Sequence, residues 1–292
     1  MPRAVAMGPP GPDWLVTADG ETACWVARMV VMRKHPAFLS CVALAFLLPF
    51  AAAQTPAPAP AAAPSAPVAT APVDASAPIP KKDNGAFLKR HESFLARAKA
   101  GPIGLLFLGD SITDGWSKAP HIWQAYYERY QPANFGIGGD TTQNVIWRIE
   151  NGELDGTQPR VVVLMLGTNN SSSHTAAEIL AADTKIVGLT RAKIPAARVL
   201  LLALFPRGVR KNRDGSIDTG EARMAVIREV NAGLAKLDDG KNVRYLDINA
   251  SFLGQDGRIP FPIMPDQLHP NAAGYQLWAD AMKPLLDEMM QP

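Results

Sequence analysis

Apolar residues fall along the chain in two alternating rhythms. Unbroken runs at Ile103–Leu108, Val161–Leu166 and Val199–Leu204 are short and rich in branched side chains. Runs of this length read as strands buried on both faces, as in a parallel sheet. Weaker strand signals lie around Asn134-Phe135 and Val243–Ile248. Elsewhere the period becomes helical: Phe87, Leu88, Phe94 and Leu95 recur at helical spacing before the stop Gly101-Pro102. Further helices are predicted at His121–Tyr130, Gln143–Asn151, Ala176–Lys193, Glu221–Leu237 and Ala272–Met289. Strands alternating with helices predict a doubly wound α/β protein, a three-layer α/β/α sandwich around a five-stranded parallel sheet. No internal repeat is visible.

Neither rhythm holds before residue 83. Met32-Arg33-Lys34 opens a basic segment, an apolar stretch runs from Ala37 to Phe50, and Ala51-Ala52-Ala53 precede Gln54. Residues 32–53 thus carry the three regions of a secretory signal peptide. The apolar core is shorter than the ~20 residues a spanning helix needs, so no stable membrane span is expected in the mature form; an uncleaved signal anchor is the alternative. Residues 1–31, with Pro9, Pro10 and Pro12 around Gly8 and Gly11, precede the point where a signal should begin. They are expected to be an unstructured start-site artefact, with translation beginning at Met32. Residues 54–82 are almost entirely Ala, Pro, Val, Ser and Thr, a composition that makes a semi-rigid linker. Residues 83–292 are then the folded domain, exported to the periplasm or secreted, and long enough to bury one core.

Composition narrows the chemistry. The only two cysteines, Cys24 and Cys41, lie in the part expected to be absent from the mature protein, leaving it no disulfide, thiolate nucleophile or cysteine metal site. A net charge of +2 and the lack of a basic run interleaved with aromatics give nucleic-acid binding little support. No cofactor motif is present: in Asn134-Phe-Gly-Ile-Gly-Gly-Asp-Thr-Thr the last glycine of G-x-G-x-x-G is replaced by Thr141, and no P-loop occurs.

Four polar motifs remain, each at the end of a predicted strand, where open parallel sheets gather their sites. Gly109-Asp110-Ser111 follows Ile103–Leu108, which exposes a serine hydroxyl at the sheet's carboxyl edge. Alone, it is a weak signal, and a solvated loop serine is the ordinary reading. In the glycine run, Gly139 N–H is a candidate oxyanion donor; Gly136 and Gly138 are equally well explained by a tight turn needing positive φ. Gly167-Thr168-Asn169-Asn170 follows the third strand; Asn169 is the candidate amide donor, and Asn170 is expected to cap the next helix or close an Asx-turn. In Asp266-Gln-Leu-His269-Pro, the carboxylate three residues before the imidazole can orient it, supplying base and orienting group to the serine. His91 and His174 lack such a partner and read as surface residues, and His121 as structural. Neither His-x-x-x-His nor a carboxylate cluster suggests a metal.

With these motifs in place, the chain resembles the SGNH (GDSL) hydrolases, whose four name-giving residues match Ser111, Gly139, Asn169 and His269. Within that superfamily it is similar to the platelet-activating-factor acetylhydrolase alpha-subunit group and its bacterial acetylesterase relatives. Ile146-Trp147-Arg148, Asn151-Gly-Glu-Leu and Phe205-Pro-Arg-Gly add to the likeness, which covers roughly Asp83 to Pro292. Two stretches depart from the animal lipid enzymes: Ser111-Ile-Thr-Asp-Gly-Trp116 looks like bacterial carbohydrate acetylesterases, and Ser171-Ser-Ser-His alters the rim. The resemblance implies a flavodoxin-like fold and a cofactor-free serine esterase. Ser111, His269 and Asp266 would be the triad, and Ser111 N–H, Gly139 N–H and the Asn169 amide the oxyanion donors. It also implies acetyl or other short-chain esters as substrates and, by analogy, a homodimer; export makes carbohydrate acetyl esters the leading substrates. The alternatives are a lysophospholipase or arylesterase, an O-acetyltransferase using the same acyl-enzyme, and a non-catalytic glycan-binding module.

Overall fold

The computed structural model describes residues 73–211 and 214–291. The expected start-site segment, the signal peptide and the linker as far as residue 72 lie outside the described residues.

Five strands form one parallel sheet: β1 (Leu105–Gly109), β2 (Pro132–Gly136), β3 (Val161–Met165), β4 (Arg198–Leu202) and β7 (Val243–Leu246), in the order β2-β1-β3-β4-β7. The unbroken runs sit where their composition demands: every residue of β1 and β3 is buried. Edge strand β2 reads weakly in sequence because only alternate positions need be apolar. A small antiparallel ladder joins β5 (Arg210–Lys211) to β6 (Ile217–Asp218); two residues per strand are too few for a periodic signal.

The helices are α1 (Ala86–Lys99), the short α2 (Ser111–Asp114), α3 (Pro120–Tyr127), α4 (Thr142–Glu150), α5 (Ala176–Lys193), α6 (Glu221–Leu234) and α7 (Ala272–Met289). Helices α4, α5 and α6 pack side by side, and α3 packs on α7, giving the outer layers of the α/β/α sandwich. Between α3, α7 and β1 lies an aromatic cluster in which Phe107 meets Trp123 at 4.9 Å and Tyr127 at 5.0 Å, and Trp116 meets Tyr275 at 4.6 Å. The connection from β1 leads to one side of the sheet and that from β3 to the other. Their carboxyl ends therefore frame a topological switch, the place where such sheets bind ligands.

The boundary expected at residue 82 needs correction. Residues 73–82 lie against α4 rather than forming part of a free spacer. Ala75 is fully buried; Thr142 Oγ1 donates to Ala75 O at 2.8 Å, Asn144 Nδ2 to Ile79 O at 2.9 Å, and Ile79 N to Gln143 O at 3.2 Å. Pro78 and Pro80 lack N–H groups, but the strap's carbonyls remain acceptors, and the side chains opening α4 supply the donors. Composition reports that such a segment cannot build its own core; it says nothing of a surface waiting to receive it.

Candidate active site

The serine is set by a turn that only particular residues can make. A Cβ on Gly109 would stand 2.2 Å from Thr113 Oγ1 and 2.6 Å from Met165 O, so the chain turns here because it has no side chain. Asp110 is the N-cap of α2, its Oδ1 accepting from Ile112 N at 2.9 Å. Ser111 follows as the first helical residue, half-buried. From behind, Tyr275 of α7 donates its hydroxyl to Ile112 O at 2.6 Å, and Asn134 Nδ2 donates to Thr113 O at 2.8 Å. The turn that carries Ser111 is thus pinned by β2 and by α7.

Ser111 Oγ lies 2.9 Å from Nε2 of His269, a residue 158 positions along the chain. His269 Nδ1 lies 2.7 Å from Asp266 Oδ2. The Asp266 carboxylate also accepts the backbone N–H groups of His269 at 2.7 Å and Leu268 at 3.2 Å, and Arg210 Nη2 approaches it at 3.1 Å. Burial pushes the Asp266 carboxyl up, but the His269 hydrogen bonds, the imidazole and Arg210 outweigh it and hold the group below its ordinary range. An ionised Asp266 takes the Nδ1–H, which leaves Nε2 as the acceptor for the serine hydroxyl.

Gly139 has φ 73°, a left-handed conformation that a side chain would strain. Among the described residues, neither Ser111 N nor Gly139 N donates to a protein group. Asn169 follows β3, and its Nδ2 donates to Asp140 O at 2.8 Å and to Asp110 Oδ2 at 3.2 Å. Both amide hydrogens are therefore engaged, the one to Asp110 by the longer bond. Burial, reinforced by the nearby Asp140 charge, pushes the Asp110 carboxyl up to about 7, against the Ile112 N–H and Lys81.

Several expectations change. Asn170 does not cap the following helix: its Oδ1 accepts from Thr142 N at 3.0 Å and its Nδ2 donates to Thr142 Oγ1 at 2.9 Å, tying the third strand's loop to the start of α4. Positive φ is confined to Gly139 in the glycine run. Gly136 is needed instead for close approach, since a Cβ there would fall 2.2 Å from Asp114 N, and a Cβ on Gly138 would meet open space. His91 is buried, 3.2 Å from Glu153 Oε2, because α1 places Phe87, His91 and Phe94 on its inner stripe. His174 is also partnered, 2.8 Å from Val73 O of the strap.

Sequence reasoning missed a buried ionic brace below the site. Arg148 bonds Glu153 Oε1 at 2.7 Å and Phe135 O at 2.9 Å, and lies 3.1 Å from Asp140 Oδ2; Lys81 holds the other Asp140 oxygen at 2.7 Å. A signal existed, since Arg148 shares a helical stripe with the buried Val145 and Ile149. A cavity of about 430 Å³ between α1 and the β2 edge has an ion pair, Arg90–Asp114 at 2.7 Å, in its wall. It contains none of Ser111, Asp266 or His269. Among the described residues, no cluster of His, Cys, Asp or Glu is arranged to hold a metal ion, and no helix is long and apolar enough to cross a membrane.

Known proteins resemble the chain in sequence and in fold. The chain is 36% identical over 217 residues to platelet-activating factor acetylhydrolase IB subunit alpha1 of Rattus norvegicus, covering 73% of this chain and 88% of that protein. A GDSL-like lipase from Bacteroides thetaiotaomicron superposes with a TM-score of 0.55 at 16% identity, over 68% of this chain and 97% of that one. A carbohydrate acetylesterase family member from Sinorhizobium meliloti superposes at 0.50 with 16% identity, over 64% and 98%. Both structures share the fold. With residues 107–277 matching the GDSL-like lipase/acylhydrolase family and both its serine turn and its histidine segment inside that span, the chain belongs to this family of ester hydrolases.

Proposed function

We propose that the chain is an exported serine esterase that removes short acyl groups, acetyl above all, from carbohydrate esters. The observation that carries this reading is the Ser111–His269–Asp266 relay, two short hydrogen bonds in series at the sheet's carboxyl edge. Ser111 Oγ attacks the ester carbonyl while His269 Nε2 takes its proton, and Asp266 stabilises the imidazolium. The tetrahedral oxyanion is held by Ser111 N–H, Gly139 N–H and the Asn169 amide. Collapse expels the alcohol, which takes the proton from His269, and leaves an acyl-serine. Water, deprotonated by the same imidazole, attacks the acyl-serine and releases the acid.

The acyl preference is supported by the acetylhydrolase relatives. The carbohydrate alcohol is supported by the Ser111-Ile-Thr-Asp-Gly-Trp116 likeness and by the exporting pattern at 32–53. Lysolipid and simple esters are the second reading, favoured by the identity to proteins named for a lipid substrate. A series of p-nitrophenyl esters tests the acyl group: turnover is expected to be highest on acetate, and a maximum at octanoate or longer overturns the short-acyl reading. Acetylated sugars against lysophospholipids decide the alcohol. Export predicts a mature N-terminus just after Ala53, readable by N-terminal sequencing of protein taken from outside the cytoplasm.

Asn169→Ala is expected to lower kcat by about 10²-fold or more with KM little changed, because the amide acts only once charge develops on the carbonyl oxygen. A rise in KM with unchanged kcat would remove Asn169 from the oxyanion site.

A further inference from the structure

The peptide that would present Gly139 N–H to an oxyanion is the one joining Gly138 to Gly139, and it lies between two residues without side chains. A peptide unit is rigid and planar, so its carbonyl and its N–H point in opposite directions and rotate together. Between two glycines, the barrier to swinging that plane is low. The units around it are tied down: Ile137 N donates to Gly109 O at 3.3 Å, Asp140 N to Ile137 O at 3.1 Å, and Asn169 Nδ2 to Asp140 O at 2.8 Å. For the Gly138–Gly139 unit, one bond is seen among the described residues. Lys81 Nζ donates to Gly138 O at 2.7 Å.

We propose that Lys81, carried on the strap of residues 73–82, is a positioning residue for catalysis that holds the Gly138–Gly139 peptide with its N–H facing the ester oxyanion. The inference rests on the esterase reading and extends it to a residue outside the segment first taken as the domain. The ammonium is itself held. It lies 2.7 Å from Asp140 Oδ1, on a carboxylate whose other oxygen faces Arg148 at 3.1 Å, and 5.9 Å from the centre of the Phe87 ring. A Cβ on Gly139 would stand 3.7 Å from Nζ, which places the charge beside the donor residue. A cation on the carbonyl end of a peptide also polarises its N–H, making it a stronger donor at the other end. Upstream, the strap is fastened by Ala75 O and Ile79 O to α4 and by Ser76 O to Lys185 Nζ at 3.0 Å. Lys81 therefore reaches the site from a backbone that the domain fixes.

The competing role for Lys81 is neutralisation of buried Asp140, and the two roles separate in a double variant. Lys81→Met is expected to lower kcat on p-nitrophenyl acetate by about 10- to 100-fold with KM within about twofold. The second-order rate of labelling by a fluorophosphonate, whose phosphoryl oxygen occupies the same hole, should fall in parallel. Lys81→Arg should regain most of both rates. Lys81→Met combined with Asp140→Asn removes the charge that needs neutralising, so it should fold even where the single variant does not, and it should remain as slow. Wild-type kcat in that double variant, or in folded Lys81→Met, overturns the proposal and leaves Lys81 as a counter-ion. Lack of ester turnover and of labelling in the wild-type protein would instead strike the esterase reading itself.

Discussion

Ser111→Ala is expected to reduce acetyl-ester turnover by roughly 10⁶-fold, the scale on which hydrolases with such relays lose activity when the nucleophile is removed. Neither neighbouring hydroxyl is placed to substitute: Thr113 lies buried with its Oγ1 against the Gly109 backbone, and Ser117 donates to Asp114 O at 3.1 Å on the turn that follows α2. The fold should barely notice. The Ser111 hydroxyl makes its hydrogen bond to the half-buried His269 ring, and truncation there is expected to shift stability by no more than about 0.5 kcal/mol. His269→Ala should fall by a similar factor, and the two changes together should cost little more than either alone, since the pair acts as one unit. Residual turnover of one part in a hundred in Ser111→Ala would show that hydrolysis takes place without a seryl ester.

The second large effect is on stability. Asp183, on α5 behind the Gly167 turn, is 1% exposed, and neither of its oxygens has a hydrogen-bond partner among the described residues. Burial pushes its carboxyl well above the ordinary range, and the charge of Asp110 adds to the shift. The native state therefore keeps a proton that the unfolded chain gives up as pH rises past about 4, the ordinary aspartate value. From there the contribution of Asp183 to native stability declines with rising pH, until the group ionises in place. Asp183→Asn keeps the shape and never ionises, so it should match the wild type near pH 3 and become progressively more stable towards pH 7. Urea unfolding at several pH values reads this directly. A difference that stays constant with pH, or a less stable variant at pH 7, would mean that the carboxylate is compensated.

Much of this architecture could be read in advance wherever a residue's role depends on its near neighbours. The apolar runs of β1, β3 and β4 are buried on both faces, and α5 and α7 fill the spans that their helical period predicts. Asp266 and His269 stand close enough in sequence for their pairing to be inferred from spacing alone. Apart from the Ser111–His269 pairing, which the family resemblance implied, what sequence could not supply was contact between distant segments. His91 reads as a surface residue until Glu153 is seen beside it, and Asn170 as a helix cap until α4 arrives. The strap is the extreme case. Its prolines and alanines carry no period, and the donors that fix it belong to Thr142, Gln143 and Asn144, whose side chains on any helix would be assigned to solvent.

Tyr275 and His269 both come from the stretch around α7, the last described element of the chain, yet they act on the turn after the first strand. A polypeptide still emerging from the ribosome thus carries its hydroxyl for most of its synthesis with no imidazole to awaken it. With the proposed relay, competence waits for the segment that carries Asp266 and His269 to reach the turn after β1. A cut ahead of Asp266 would leave a protein with an intact serine and neither the imidazole nor the carboxylate that faces it.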